Sequence, residues 1–240
     1  IFFIILLSVI SKNYSSIFRL FLNDFFIKFI YKVISIWIGV MHLTVKNLIN
    51  INKQINLKIA NLDSYKVEPK VIAVSKTFKM DHILPLVEYG HKHFGENKVQ
   101  EAVEKWTDIK KKSKDLKLHL IGKLQSNKVR FASGLFDYIH SLDSEKLAKK
   151  ISDEQKNKNW YPKLFIQVNI GNEIQKSGIR VDQVEAFTKF CKELNLNIIG
   201  LMCIPPVNED PEKSFLRMNY LNKKMNFVEL SMGMSSDYLT

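Results

Sequence analysis

Apolar residues recur along this chain as short continuous runs separated by longer amphipathic segments. Runs of this length are typical of strands buried on both faces of a parallel sheet, and the segments between them have helical periodicity. The even spacing of seven strand-then-helix units favours a TIM-like (β/α) barrel over an open sheet. The predicted strands cover residues 71–76, 93–96, 118–122, 138–142, 164–170, 198–204 and 228–232.

Three polar residues predict where helices begin. Asn97 and Asp182 each precede a segment of helical periodicity and are followed, three residues later, by Gln or Glu, as in a capping box. Asp210 precedes Pro211, and proline is favoured at the first position of a helix. We therefore expect helices to start beside all three residues.

Residues 1–40 form a hydrophobic leader of a different character. The apolar run at 1–10 is too short to cross a bilayer, and no small-residue cleavage site follows it. Met41 then begins an ordinary amphipathic segment. We expect the native protein to start at Met41, with 41–240 as one barrel domain. A membrane-associated leader is the alternative, because the stretch at 30–40 is also hydrophobic.

The formal net charge is +12, from 36 Lys and Arg residues against 24 Asp and Glu residues. Such a balance is compatible with binding to nucleic acid or anionic membrane. The lysines are nevertheless scattered, and the densest run, at 110–112, is typical of a helix end. We therefore expect small anionic ligands, and neither nucleic acid nor membrane as a partner.

Cysteine and histidine usage gives little sign of a disulfide or a metal site. Cys191 and Cys203 form no CxxC pattern, and two cysteines in 240 residues suit a reducing cytoplasm. His91 and His93 alternate along a predicted strand and share one face. They could form a metal pair, but a half-exposed strand end is the favoured interpretation, and we predict no metal.

Two strand ends carry candidate chemistry. Lys76 ends the apolar run at 71–76, and a partly desolvated amine at the mouth of a barrel can form a Schiff base with an aldehyde. The small-residue loop at 231–235 follows the seventh strand, where barrels bind phosphate. Gly233 would let the backbone approach an anion closely. A solvated strand end and an ordinary turn are the respective alternatives.

Six segments in register extend this pattern to a known family. The chain resembles the bacterial pyridoxal phosphate homeostasis proteins, single-domain relatives of the alanine racemase N-terminal barrel. The segments are VIAVSKT at 71–77, FGEN at 94–97, HLIG with LQSNK at 119–128, KSG at 176–178, GLMCIPP at 200–206 and LSMGMSSD at 230–237.

The resemblance implies a barrel that binds pyridoxal 5′-phosphate (PLP) as a Schiff base. Lys76 matches the lysine that forms this bond. Asn97 matches a residue beside the cofactor and Met202 one behind its pyridine ring, although a helix N-cap and a core methionine are the competing interpretations. His119 and the segment 125–128 match a motif without an assigned role. The phosphate-side residues implied by the match are Ser231, Gly233 and Ser235.

In one respect the chain departs from the family pattern. The family continues after the 230–237 motif with a helix and an eighth strand, whereas this sequence stops at Thr240. The resemblance therefore implies a barrel that lacks its last strand.

The same resemblance favours a cytoplasmic, monomeric PLP carrier without catalytic residues, which holds the cofactor and delivers it to PLP-dependent apo-enzymes. The alternative is the barrel domain of a PLP-dependent amino-acid racemase or decarboxylase. A basic binder of nucleic acid or membrane ranks third.

Overall fold

A curled parallel sheet with helices on its outer face organises the residues that this computed structural model describes, 41–61 and 69–240. The predicted leader at 1–40 lies outside these described residues. Across the described ranges, no helix combines the length and apolar content needed to span a bilayer.

The elements alternate along the chain as the apolar pattern predicts. Short 3-10 turns precede two of the helices, at Ser126–Lys128 and Val181–Gln183. The strands are β1 (Ala73–Val74), β2 (His93–Glu96), β3 (Lys117–Leu120), β4 (Tyr138–Leu142), β5 (Lys163–Asn169), β6 (Ile179–Arg180), β7 (Ile198–Met202) and β8 (Glu229–Ser231). The helices are α1 (Leu43–Ala60), α2 (Met80–Tyr89), α3 (Val99–Lys112), α4 (Val129–Ala132), α5 (Glu145–Lys158), α6 (Val184–Glu193) and α7 (Pro211–Lys224).

The strand order confirms a succession of β-then-α units in chain order rather than an open, reordered sheet. The strands follow the order β1-β2-β3-β4-β5-β7-β8, every pair is parallel, and β6 pairs beside β5. All seven predicted strands are present, as β1 to β5, β7 and β8, and each lies within a few residues of its predicted bounds. The sequence pattern missed β6, because two residues are too few for a periodic signal.

The sheet curls far enough to bring its first and last strands near each other. Lys70, just before β1, lies 3.7 Å from Glu229 at the start of β8, measured from Nζ to Oε1. In the described part of the chain, β1 and β8 remain the two ends of the strand order. The result is a partial barrel whose interior is bounded by all seven main strands.

Two apolar clusters lie on opposite sides of the sheet. The larger one fills the space between strands and helices and includes Phe94 and Trp106, whose ring centroids are 4.8 Å apart. A smaller cluster comprises Tyr138, Phe165 and Met202 on the inner side. Because side chains alternate along a strand, each strand contributes to both the outer core and the barrel interior.

Gly200 shows how closely the last two strands approach. A Cβ atom at this position would lie 1.8 Å from the carbonyl oxygen of Glu229, so β7 and β8 can pair here only around a glycine.

Helices begin within two residues of all three predicted positions, but only Asp210 is a side-chain cap. Asp210 caps α7, and its Oδ1 accepts a hydrogen bond from the Glu212 N–H at 3.0 Å. Asp182 was wrong as a cap, because it lies inside a 3-10 turn and pairs with Arg180. Asn97 was also wrong, since Lys98 is the N-cap of α3 and no side chain caps it.

Candidate functional site

Ser75 is held in place from the helix side of the sheet. Its N–H donates to the carbonyl oxygen of Gly95 at 2.9 Å, and its hydroxyl donates to Oε1 of Glu96 at 2.8 Å. Lys105 donates to the carbonyl oxygen of Ser75 at 2.8 Å. Both polar ends of the residue before Lys76 are therefore fixed by the protein.

Glu96 is fully buried and anchors this arrangement. Its Oε1 also accepts hydrogen bonds from Trp106 Nε1 at 2.9 Å and Lys105 Nζ at 3.4 Å. A buried carboxylate is tolerated only when cations and donors compensate its lost hydration. The compensation here comes from α3, so this helix fixes the turn that follows β1.

Thr77, on the other side of Lys76, is fixed as well. Its φ of 65° is unusual for a β-branched residue and persists only where neighbours enforce it. Its N–H donates to Oε1 of Glu101 at 2.7 Å. The hydrogen bond from Lys105 is the main reason that the pKa of Glu101 lies below its usual range, and it keeps this acceptor ionised.

Lys76 therefore extends from a turn that is anchored on both sides. Its side chain is exposed, and within the described ranges it has no hydrogen-bond or ion-pair partner. Val74, two residues earlier, shares the inner face with Gly95, since a Cβ on that glycine would lie 3.6 Å from Val74 Cγ2. Lys76 itself lies in the turn that follows the carboxyl end of β1.

The loop after β8 lies at the same end of the sheet, because β1 and β8 run parallel and start side by side. Gly233 has a φ of 87°, a left-handed conformation that favours glycine. Ser235 is exposed, whereas Ser231 is half-buried at the end of β8. The N–H of Met234 donates to the carboxylate of Asp237, which closes the turn.

Asn97 and Met202 are the remaining predicted cofactor contacts. Asn97 is half-buried beside Gly122, where a Cβ would lie 2.3 Å from the Asn97 carbonyl oxygen. Asn97 forms a bend between β2 and the Lys98 N-cap of α3. Met202 is buried in the inner cluster and pairs in register with Ser231. The structure thus brings Met202 and Ser231 together.

Three histidines that the sequence pattern did not predict to meet form a line inside the barrel. Nδ1 of His93 lies 3.0 Å from Nε2 of His119, and Nδ1 of His119 lies 2.9 Å from Nε2 of His140. Nδ1 of His140 lies 2.7 Å from Oγ of Ser231. The available signal was that each histidine falls within a predicted strand, but no local pattern shows that they meet.

Burial controls the protonation of this line. It lowers the pKa of His119 to about 2, assisted by repulsion from His140 and His93, and lowers the pKa of His140 to about 3. His91 is not part of the line, since its Nε2 contacts the carbonyl oxygen of His93 at 2.8 Å. Among the residues described, no cluster of three or more His, Cys, Asp or Glu side chains could hold a metal ion.

Both cysteines are free and buried. Burial raises the pKa of the thiols of Cys191 and Cys203 to about 12, so neither is a reactive nucleophile at neutral pH. The exposed amine of Lys76 is therefore the better nucleophile, and the serines and glycine after β8 are suited to an anion.

Comparison with known proteins agrees with this geometry. The family model for the alanine racemase N-terminal domain matches residues 53–240. Solved alanine racemases share the fold alone, for example the Clostridium difficile enzyme at 12% identity and a TM-score of 0.51, covering 72% of this chain and 46% of that one. The chain therefore has the barrel of this domain class.

Closer relatives define the family within that class. Pyridoxal phosphate homeostasis proteins are 36% identical over 179 residues in Aquifex aeolicus, covering 70% of this chain and 78% of the relative. The Vibrio cholerae protein is 35% identical over 204 residues, covering 80% and 86% respectively. This chain belongs to the pyridoxal phosphate homeostasis protein family.

A solved structure of a relative contains the cofactor. PipY of Synechococcus elongatus with PLP bound is 34% identical, with a TM-score of 0.64, and the match covers 77% of this chain and 91% of that one. The same protein without PLP is similar at a TM-score of 0.65.

Proposed function

We propose that this chain is a PLP-binding protein of vitamin B6 homeostasis, with the cofactor held as a Schiff base on Lys76. The observation that carries the proposal is the exposed amine of Lys76, which has no partner among the described residues and lies between two residues fixed by α3. Family membership and the PLP-bound relative support the choice of ligand. The proposed location is the cytoplasm.

The bond chemistry requires little of the protein beyond a positioned amine. Lys76 would hold the aldehyde of PLP through a C=N bond, with the amine hydrogens and the aldehyde oxygen lost as water. Fixing the backbone of Ser75 and Thr77 beforehand reduces the conformational entropy lost when Lys76 is immobilised. The hydrogen-bond network of Glu96, Glu101 and Lys105 thus favours binding without touching the cofactor.

The described residues also suit the phosphate and the ring. Gly233 leaves room for a close approach of anion to backbone, and the hydroxyls of Ser231 and Ser235 can donate hydrogen bonds. The Met234 N–H is engaged by Asp237, so we assign phosphate binding to the hydroxyls rather than to this amide. Met202 lies beside Ser231 and offers an apolar surface to the ring.

We further propose that the protein stores and delivers PLP, to PLP-dependent apo-enzymes, as a monomer without catalytic turnover. The buried imidazoles of the barrel interior, His119 and His140, are bonded to other side chains at both ring nitrogens. Groups held in this way are poorly placed to move protons at an amino acid, which racemisation would require. A racemase is the alternative that the experiment below can detect.

Absorbance titration with PLP tests the site. The wild-type protein should develop the absorbance of a protonated Schiff base, and the Lys76→Ala variant should not. Lys123→Ala is the matched control, because Lys123 is also exposed and also follows a strand of the same sheet. Borohydride reduction and peptide mapping should place the label on Lys76. A label on another lysine would refute the assignment.

A racemisation assay tests the carrier role separately. PLP-loaded protein incubated with L-alanine should give no more D-alanine than free PLP does. Turnover that is lost in Lys76→Ala would show an enzyme and contradict the carrier proposal, while leaving the binding site intact.

A further inference from the structure

Four polar side chains from four strands form one hydrogen-bonded line across the barrel interior. The line runs from His93 on β2 through His119 on β3 and His140 on β4 to Ser231 on β8. The first three strands are neighbours, whereas β8 is the last strand of the order, so the final contact crosses the curled sheet. The line ends at a serine assigned above to the phosphate.

The aromatic neighbours fix the planes of the two central rings. His119 stacks on Tyr138 at a centroid distance of 4.2 Å, and His140 stacks on Phe165 at 4.4 Å. Both imidazoles are almost completely buried. Ring rotation would break two hydrogen bonds and a stacking contact at once, so the line cannot reorganise by simple side-chain motion.

Neutral imidazoles impose a direction on the line. Each has one N–H donor and one acceptor nitrogen, and each of the two central rings uses both nitrogens within the line. All hydrogen bonds must therefore point the same way. In one arrangement every Nδ1 carries the proton and His140 donates to Ser231; in the other, Ser231 donates to His140 and every Nε2 carries the proton.

The two arrangements give Ser231 opposite properties. When His140 donates to Oγ, the serine hydroxyl hydrogen is free to be donated to a ligand. When Ser231 donates to His140, that hydrogen is already used, and Oγ offers only lone pairs to a ligand. A phosphate group accepts hydrogen bonds and repels lone pairs, so it can be bound only in the first arrangement.

We propose that His140, supported by His119 and His93, is a positioning residue that orients the Ser231 hydroxyl towards the phosphate. The proposal rests on the proposed function, because it assumes that Ser231 binds the phosphate of PLP. It adds a selective element: the line favours phosphorylated over unphosphorylated ligands by fixing the direction of a single O–H bond. Groups around its start, at His93, are His91, Lys70, Lys117 and Glu229.

Nitrogen-15 NMR of the imidazoles tests the line directly, with or without PLP. In the unliganded protein, His119 and His140 should be in the same tautomeric state, because the line requires it. Addition of PLP should give the Nδ1–H form in both rings. Different tautomers in the two rings, or Nε2–H forms in the PLP complex, would overturn the proposal even if PLP binds through Lys76.

Ligand selectivity gives a second test that a merely structural role would not pass. His140→Phe keeps the stacked ring but removes the donor, and Ser231→Ala removes the hydroxyl. Each should weaken PLP binding about tenfold and leave pyridoxal, which lacks the phosphate, within about twofold of wild type. The double variant should be no weaker than either single variant, because both remove the same interaction.

Controls separate this proposal from the binding site itself. His140→Gln retains an N–H donor and should recover part of the PLP affinity, whereas His82→Phe, at an exposed position outside the line, should bind like wild type. An equal loss of PLP and pyridoxal in His140→Phe would show a structural role only. Failure of wild type to bind PLP would refute the proposed function and with it the role of Ser231 towards phosphate, whereas NMR of the unliganded protein would still show whether the two rings share one tautomeric state.

Discussion

Acidification should destabilise this protein well before its carboxylates become protonated. The reason is the pair of buried neutral histidines, His119 and His140, whose pKa values in the fold are about 2 and about 3. In the unfolded chain both recover an ordinary pKa near 6.5. Below pH 6.5 the unfolded state therefore binds protons that the folded state does not, and stability falls with pH.

The size of the effect follows from the linkage relation. Each such histidine reduces the free energy of unfolding by about 1.4 kcal/mol per pH unit once the pH is below 6.5. Between pH 7 and pH 5 the loss is about 2 kcal/mol for each ring and about 4 kcal/mol for the two together. The full contribution is present above pH 6.5, and its loss continues down to about pH 3.

Urea denaturation followed by circular dichroism at several pH values provides the assay. In the double variant His119→Gln/His140→Gln, the free energy of unfolding should lose most of its pH dependence between pH 7 and pH 5. Comparing the two proteins cancels the contribution of carboxylates common to both, including Asp143, whose pKa is raised by burial. His82→Gln, at an exposed position, should keep the wild-type slope. Equal slopes in wild type and double variant would refute the reasoning.

Three further predictions concern stability and can be measured by the same urea titration at pH 7. Gly200→Ala should destabilise by more than about 3 kcal/mol or prevent folding, because its Cβ would overlap the Glu229 carbonyl; a loss below about 1 kcal/mol would contradict the close approach of β7 and β8. Asp210→Ala should cost about 1 kcal/mol through loss of the α7 cap, and Asp210→Asn should cost less. Lys105→Met should lower the free energy of unfolding by about 3–5 kcal/mol, because it leaves Glu96 as an uncompensated buried carboxylate. The double variant Lys105→Met/Glu96→Gln should recover part of this loss, and no recovery would argue against the pairing.

Strand periodicity was sufficient to predict the main sheet. Runs such as 138–142 are buried along their whole length, and a parallel strand covered on both faces has no polar alternation to obscure it. The cap at Asp210 could be predicted equally well, because a cap and the proline after it are local features of the sequence. Asn97 failed as a cap because α3 begins one residue later than a cap at Asn97 requires, and this segment lies against Gly122, which is distant in sequence.

The candidate site residues also divide into those that the sequence could predict and those that only the tertiary structure shows. Lys76 was recognisable from its position at the end of an apolar run, and the motifs around it indicated the family. The network that fixes its neighbours was not recognisable, because Glu96 and Lys105 meet Ser75 only after α3 packs on the sheet. Charged residues on a helix are usually solvated, and no local pattern distinguishes one that turns inward.

The sequence by itself determined the alternation of strands and helices, the parallel sheet and the lysine at the end of β1, since each depends on residues close together in the chain. Only the tertiary structure decided that His93, His119, His140 and Ser231 form one line. These residues span almost 140 positions, and their meeting depends on strand register and on the curl that brings β8 opposite β4. Register and curl arise from packing of the whole sheet, which no single segment encodes.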